Sequence, residues 1–192
     1  MGKDLAWGQE VRRKLFHIFW IILALFAWFG VPYLSMVTVM RVFLVLLFLF
    51  LLFDFLRVEH DWKFLRFMMR SKERGMFCGG TTGMIGVILV FTLTHFQVAV
   101  LATFFMGVGD LIAGVVRKKW GQHDFLKKTW EDFGAGTIAN IVLGGLLVPN
   151  PVLLFPMAIA AQVAENAVSV LDDNLVMILV AAVVGQLVLV YV

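Results

Sequence analysis

The sequence predicts an all-α, polytopic membrane protein with about seven transmembrane helices and a cytosolic N-terminus. Three observations carry that expectation. Of the 192 residues 61% are hydrophobic, with a mean hydropathy of +0.94, far outside the soluble globular range. The apolar residues come in long runs rather than alternating with polar ones, as bilayer-spanning helices require. The cations fall almost entirely between alternate pairs of these runs.

Taken in order, residues 15–31 carry only His17 as a titratable group and read as a first span. Arg12, Arg13 and Lys14 precede it as they would a signal peptide, but the run is too long, and no small-residue cleavage site follows before Pro32. Residues 36–53 carry only Arg41, 98–116 only Asp110, 152–171 only Glu165, and 175–192 no charge. Two shorter runs, 82–93 and 134–148, need a thin or tilted arrangement to span. The stretch 54–74 mixes Phe55, Leu56, Trp62, Leu65, Phe67 and Met68 with charges. It reads either as an amphipathic helix along the headgroups or as a helical extension of the second span.

Loops assigned alternately to two sides place 15 of the 16 Lys and Arg on one side, with Arg41 alone near the other. The positive-inside rule makes that side cytosolic. The outer connections are short and the inner ones long, so any chemistry is expected at the cytosolic interface. No linker divides residues 1–192, which read as one integral membrane domain. The single cysteine, Cys78, excludes a disulfide framework and a multi-cysteine metal site.

Polar groups inside apolar runs are the informative ones, because a carboxylate at a helix centre costs roughly 2.5–3.5 kcal/mol on insertion scales. Asp54 ends its run beside a basic loop and reads as a charge that snorkels to the interface. Asp110 follows Gly107-Val108-Gly109, where glycines permit close backbone approach, and reads as a buried functional carboxylate. Glu165 and Asp172 are seven apart, so two helical turns put them on one face, shared or flanked by Gln162, Asn166 and Ser169. Capping accounts for Asp173 or Asn174 but not for Glu165. Carboxylates facing a basic loop suggest Mg2+ held by one or two of them with substrate phosphates. Lys127, Lys128 and Thr129 precede Gly134-Ala135-Gly136, a helix start whose free N–H groups favour anions. The plain alternative is that the lysines only set topology.

Four patches resemble the membrane CTP-dependent lipid kinases: dolichol, phytol and other polyprenol kinases and the yeast-type diacylglycerol kinase, relatives of the CTP:phosphatidate cytidylyltransferases. Glu10-Val-Arg-Arg-Lys-Leu-Phe-His17 is similar to the E-x-R-R-K-x-x-H opening of that family. Glu73-Arg-Gly-Met-Phe-Cys-Gly-Gly-Thr-Thr82 is a looser match. Gly109-Asp110 through Gly121 to Lys127-Lys-Thr-Trp-Glu131 resembles G-D-x-x-A-x-x-x-G-x-x-x-G followed by K-K-[ST]-x-E-G. Glu165 with Asp172-Asp-Asn174 is the fourth. The chain departs from the pattern at Arg117 and Asp132, where the family has glycine; the two are placed to form a compensating pair.

The resemblance implies transfer of the γ-phosphate of CTP to a lipid alcohol of polyprenol, phytol, geranylgeraniol or dolichol type, with Mg2+ and no nucleic acid. It implies that Asp110 is needed for activity; the residues themselves suggest that Glu165 and Asp172 complete the catalytic set, with Asp110, Glu165 and Asp173 as candidate metal ligands. Arg13, Lys14, Lys127, Lys128, Thr129 and Glu131 are candidate nucleotide or phosphate contacts, and His17 a candidate contact to the substrate hydroxyl. The long C-terminal signature of the cytidylyltransferases is missing, which favours the kinase; a cytidylyltransferase and a non-enzymatic carrier with a carboxylate pair are the alternatives. The lipid and the oligomeric state are not legible.

Overall fold

The computed structural model describes the backbone over residues 2–60, 78–168 and 172–191, and side chains over 17–59, 78–168 and 172–191. Within these, seven helices follow in order: α1 (Gly2–Leu34), α2 (Met36–His60), α3 (Gly79–Leu93), α4 (Phe96–Trp120), α5 (Trp130–Gly145), α6 (Pro151–Ala167) and α7 (Asp173–Tyr191). A two-stranded antiparallel hairpin, β1 (Asp124–Phe125) and β2 (Lys128–Thr129), joins α4 to α5. The described residues are all-α apart from this hairpin. Among the described residues four helices are long and apolar enough to cross a membrane: His17–Leu34 of α1, Met36–Glu59 of α2, Phe96–Trp120 and Asp173–Tyr191. The shorter apolar helices Gly79–Leu93 and Pro151–Ala167 accompany them.

Helix α4 is the axis of the bundle. Every residue from 98 to 110 is buried, and α1, α3, α5, α6 and α7 all pack against it. A helix apolar all round belongs in such a position. Gly107 makes one of these approaches possible: a Cβ there would lie 2.9 Å from the carbonyl oxygen of His17 and 2.7 Å from Ile21 Cγ1. The α1 backbone therefore comes against α4 where the glycine-containing motif predicts close contact. Helix α5 buries a single stripe, Asp132, Gly136, Asn140 and Gly144, spaced at four residues. Its other faces carry exposed apolar side chains such as Ile138 and Val142.

Polar groups sort to one end of the bundle. Two sets of contacts form there: His17 on α1, Asp110 on α4, the hairpin and the end of α6 make one, and Asp54 near the end of α2 with the starts of α3 and α7 makes the other. The opposite end holds the turn at Ser35 and the link from His95 N–H to Gln186 Oε1, 2.9 Å.

Two sequence expectations are corrected. Asp54 does not snorkel: it is 4% exposed, accepts hydrogen bonds from Cys78 N–H (3.0 Å) and the Thr81 hydroxyl (2.5 Å), and pairs with Arg57 at 3.2 Å. It satisfies donors at the start of α3 that would otherwise be unmatched. Nor does one helix carry Glu165 and Asp172. Helix α6 stops at Ala167, and Val168 is extended (φ −94°, ψ 138°). Asp172 instead caps α7, its Oδ1 accepting from Asn174 N–H (3.1 Å) and Leu175 N–H (3.4 Å). Of the segment 54–74, α2 continues helically through His60; the remainder, with Ser169, lies outside the described residues.

Candidate functional site

Four titratable side chains from four separate elements meet at the polar end. His17 Nε2 stands 2.7 Å from Asp110 Oδ2, and both side chains are almost wholly buried. Lys128 on β2 reaches inward to Glu165 Oε1 on α6 at 2.5 Å. Asp110 lies within electrostatic reach of Glu165, so the two pairs form one buried network. His17 Nδ1 has no hydrogen-bond partner among the described residues.

The hairpin holds Lys128 in place. Its register pairs Asp124 with Thr129 and Phe125 with Lys128. Leu126 at the turn adopts a left-handed φ of 55°, and the Lys127 N–H donates to the Asn166 carbonyl at 3.2 Å. The last contact ties the hairpin to the final turn of α6, one residue from Glu165. Thr129 is the N-cap of α5, in a reciprocal capping box with Asp132 at 3.4 Å in each direction. Asp132 is fully buried and pairs with Arg117 at 3.2 Å. The two departures from the family pattern thus form the pair anticipated for them. That salt bridge fastens the end of α4 to the start of α5, and the hairpin lies between.

Glu131, ahead of the apolar run that starts at Gly134, meets His123 Nδ1 at 2.6 Å. The hydrogen bond from His123 holds its carboxyl well below the usual range, at about 2. Phe125, Trp130 and Phe133 cluster beside it, Phe125 and Trp130 with centroids 3.8 Å apart.

The network thus gathers His17, Asp110, Lys128 and Glu165 from the residues singled out in the sequence. Thr129 and Glu131 act within the structure as cap and hairpin clasp. Lys127 is exposed beside them. Asp172 stands elsewhere: a Cβ at Gly79 would lie 3.4 Å from its Oδ2 and 3.1 Å from Asn174 Nδ2, which places it against the start of α3. Asp173 opens α7 next to it. Among the described residues no group of three His, Cys, Asp or Glu is gathered as a metal-ligand set, so Asp173 does not join Asp110 and Glu165 in one. Arg13 and Lys14 lie in the helical span of α1, and their side chains are outside the described residues.

Of the buried amides, sequence reasoning missed Asn140 and read Gln162 and Asn166 only as flanking the Glu165 face. Asn140, Gln162 and Asn166 are each 0% exposed, and they extend the acidic network into the bundle. Gln162 is wedged between α4 and α5, in contact with the positions a Cβ would take at Gly109 and Gly136. The four-residue spacing of Asp132, Gly136 and Asn140 was the available signal, since it puts two polar residues and a glycine on one face of an apolar helix. No protein-family model, curated protein or solved structure matches this chain.

Proposed function

We propose that the chain is a membrane lipid kinase that transfers the γ-phosphate of CTP to a lipid alcohol at the cytosolic interface. The observation that carries this reading is the buried His17–Asp110 and Glu165–Lys128 network beside a cationic hairpin. Asp110, with His17 held on it, accepts the hydroxyl proton. The alcohol oxygen attacks the γ-phosphorus, the bond to the β–γ bridging oxygen breaks, and CDP leaves. Such transfers need positioning and charge neutralisation more than covalent catalysis. Lys127, Lys128, Arg13 and Lys14 supply positive charge for the triphosphate.

The donor chemistry fits Mg2+. With Asp110 as proton acceptor, Glu165 would hold it together with substrate phosphates, as this cation usually requires, and it would neutralise charge on the transferred group. Lys128 on Glu165 balances that carboxylate in the structure described above. In this reading the seven helices all span, the N-terminus and cationic loops are cytosolic, and the protein is a single multi-pass unit. A prenyl-type alcohol is preferred by the family resemblance alone.

The test uses purified protein in lipid nanodiscs with CTP labelled at the γ- or α-phosphate, ATP run alongside, and a panel of lipid alcohols and lipid phosphates. Label entering lipid from the γ-position supports the kinase. Label from the α-position only makes it a cytidylyltransferase, and no transfer from either position returns the reading to a carrier.

A further inference from the structure

The face of α5 opposite its buried stripe takes no part in the reaction above. Trp130, Gly134, Ile138 and Val142 follow there at four-residue steps. They are offset by two positions from Asp132, Gly136, Asn140 and Gly144, which is about 200° around the helix. Trp130, Ile138 and Val142 are exposed. Between the indole and Ile138 the row is interrupted, because a Cβ at Gly134 would stand in open space. An apolar row pointing away from the bundle therefore carries a notch directly beside a tryptophan.

Depth decides what the notch faces. Helix α4 has 25 residues, about 37 Å, against a hydrocarbon core of about 30 Å. Its last turn, with Arg117, Lys118 and Lys119, therefore reaches headgroup level. Helix α5 runs antiparallel beside it: Asp132 pairs with Arg117 at one end, and a Cβ at Gly144 would lie against Phe105 at the other. A Cβ at Gly121 would come 3.1 Å from Thr129 Cγ2, which brings the segments carrying Trp120 and Trp130 together at one depth. Both indoles are exposed, as tryptophan is where one end of the side chain is apolar and the other wet. Lys119 Nζ lies over the Trp120 ring at 4.5 Å.

The charge at this level is positive. Arg117 with Asp132, and Lys128 with Glu165, are neutral as pairs. Of the other charges between residues 117 and 133, Lys118, Lys119 and Lys127 outnumber Asp124 and Glu131. An anionic headgroup complements such a surface, and a zwitterionic one gains far less from it.

We infer that Trp130, Gly134 and Ile138, with Lys119 and Trp120 beside them, form a docking site for an anionic phospholipid of the surrounding leaflet. Its acyl chain lies in the notch at Gly134, and its phosphate lies at the level of the lysines. The lipid covers the junction of α4 and α5 from outside, where the Lys128 hairpin is attached. The site does not depend on phosphate transfer, and its test does not read that activity.

The experiment uses the full chain in phosphatidylcholine nanodiscs containing a small fraction of lipid brominated on its acyl chains. Bromine quenches indoles that it touches, and the quenching lost in Trp130→Phe is that of Trp130. In the wild type, brominated phosphatidylglycerol should quench Trp130 at a mole fraction at least fivefold lower than brominated phosphatidylcholine, the scale of one lysine acting on surface charge. Lys119→Gln should reduce that preference at least twofold. Gly134→Leu fills the notch without meeting another helix, so it should abolish the preference while its thermal midpoint stays level or rises. Equal quenching by the two lipids, no quenching lost in Trp130→Phe, or a preference kept in Gly134→Leu would overturn the site. A fall in the thermal midpoint of Gly134→Leu would overturn it as well, since the position would then be packed rather than open.

Discussion

Removing one partner of the Lys128–Glu165 pair tests the network most directly. The contact is 2.5 Å, with the lysine side chain 14% exposed and the carboxylate 1%. At an effective dielectric constant of about 20, unit charges at that separation attract by roughly 6–7 kcal/mol, a gross figure that desolvation of both groups largely offsets. Lys128→Met leaves a buried carboxylate without its cation, and the expected loss of stability is about 3–5 kcal/mol. Glu165→Gln leaves a lysine with some access to solvent, so a smaller loss of about 1–2 kcal/mol is expected. The double variant removes both charges and should lie within about 1 kcal/mol of the wild type, giving a coupling of about 3 kcal/mol or more. Equilibrium unfolding in detergent, followed by tryptophan fluorescence, measures all four corners of the cycle. Single effects that simply add, to within about 0.5 kcal/mol, would refute the claim that the two side chains act as a buried pair.

Three further outcomes are expected. Asp110→Asn should retain its fold and lose at least a hundredfold in γ-phosphate transfer, the scale of a missing proton acceptor; full activity in a folded variant would remove Asp110 from the chemistry. Asp54→Ala removes the acceptor for Cys78 N–H and the Thr81 hydroxyl and the partner of Arg57, at an expected cost of about 2–4 kcal/mol by chemical denaturation; a loss below about 0.5 kcal/mol would return it to the snorkelling role. The Glu131 carboxyl is held at about 2 in the folded chain against an ordinary 4.5, so its contribution is complete above 4.5 and is lost as the pH falls from there towards 2. Carboxyl titration by infrared difference spectroscopy should therefore show His123→Gln moving this group up towards 4.5, and an unmoved titration would mean that His123 is not its clasp.

Much of the architecture was legible because hydropathy is a local property. Runs of apolar residues mark α1, α2, α4 and α7 whatever they pack against, since unpaired backbone in hydrocarbon leaves few options other than helix. Asp110 stood out for the same reason, as a costly charge behind two glycines. The Arg117–Asp132 pair was also anticipated, because each residue was odd in the same pattern. Asp54 was misread because its partners come from a different helix: Thr81 is 27 positions away. The break at Val168 escaped notice because residues 152–171 are helical by composition, whereas Asp172 is drawn off to cap α7.

By itself, then, the sequence determined that this is a helical membrane protein, where its charges lie along the chain, and which carboxylates are expensive to bury. Tertiary structure alone decided who meets whom. It set His17 of α1 on Asp110 of α4, bent a hairpin back so that Lys128 reaches a glutamate 37 residues on, and took Asp172 away from the network. It also brought the amides of Asn140 and Gln162 to the glycines of neighbouring helices. Periodicity reports which face of a helix is buried, but the partner across that face depends on how separate helices pack, and no local pattern encodes it.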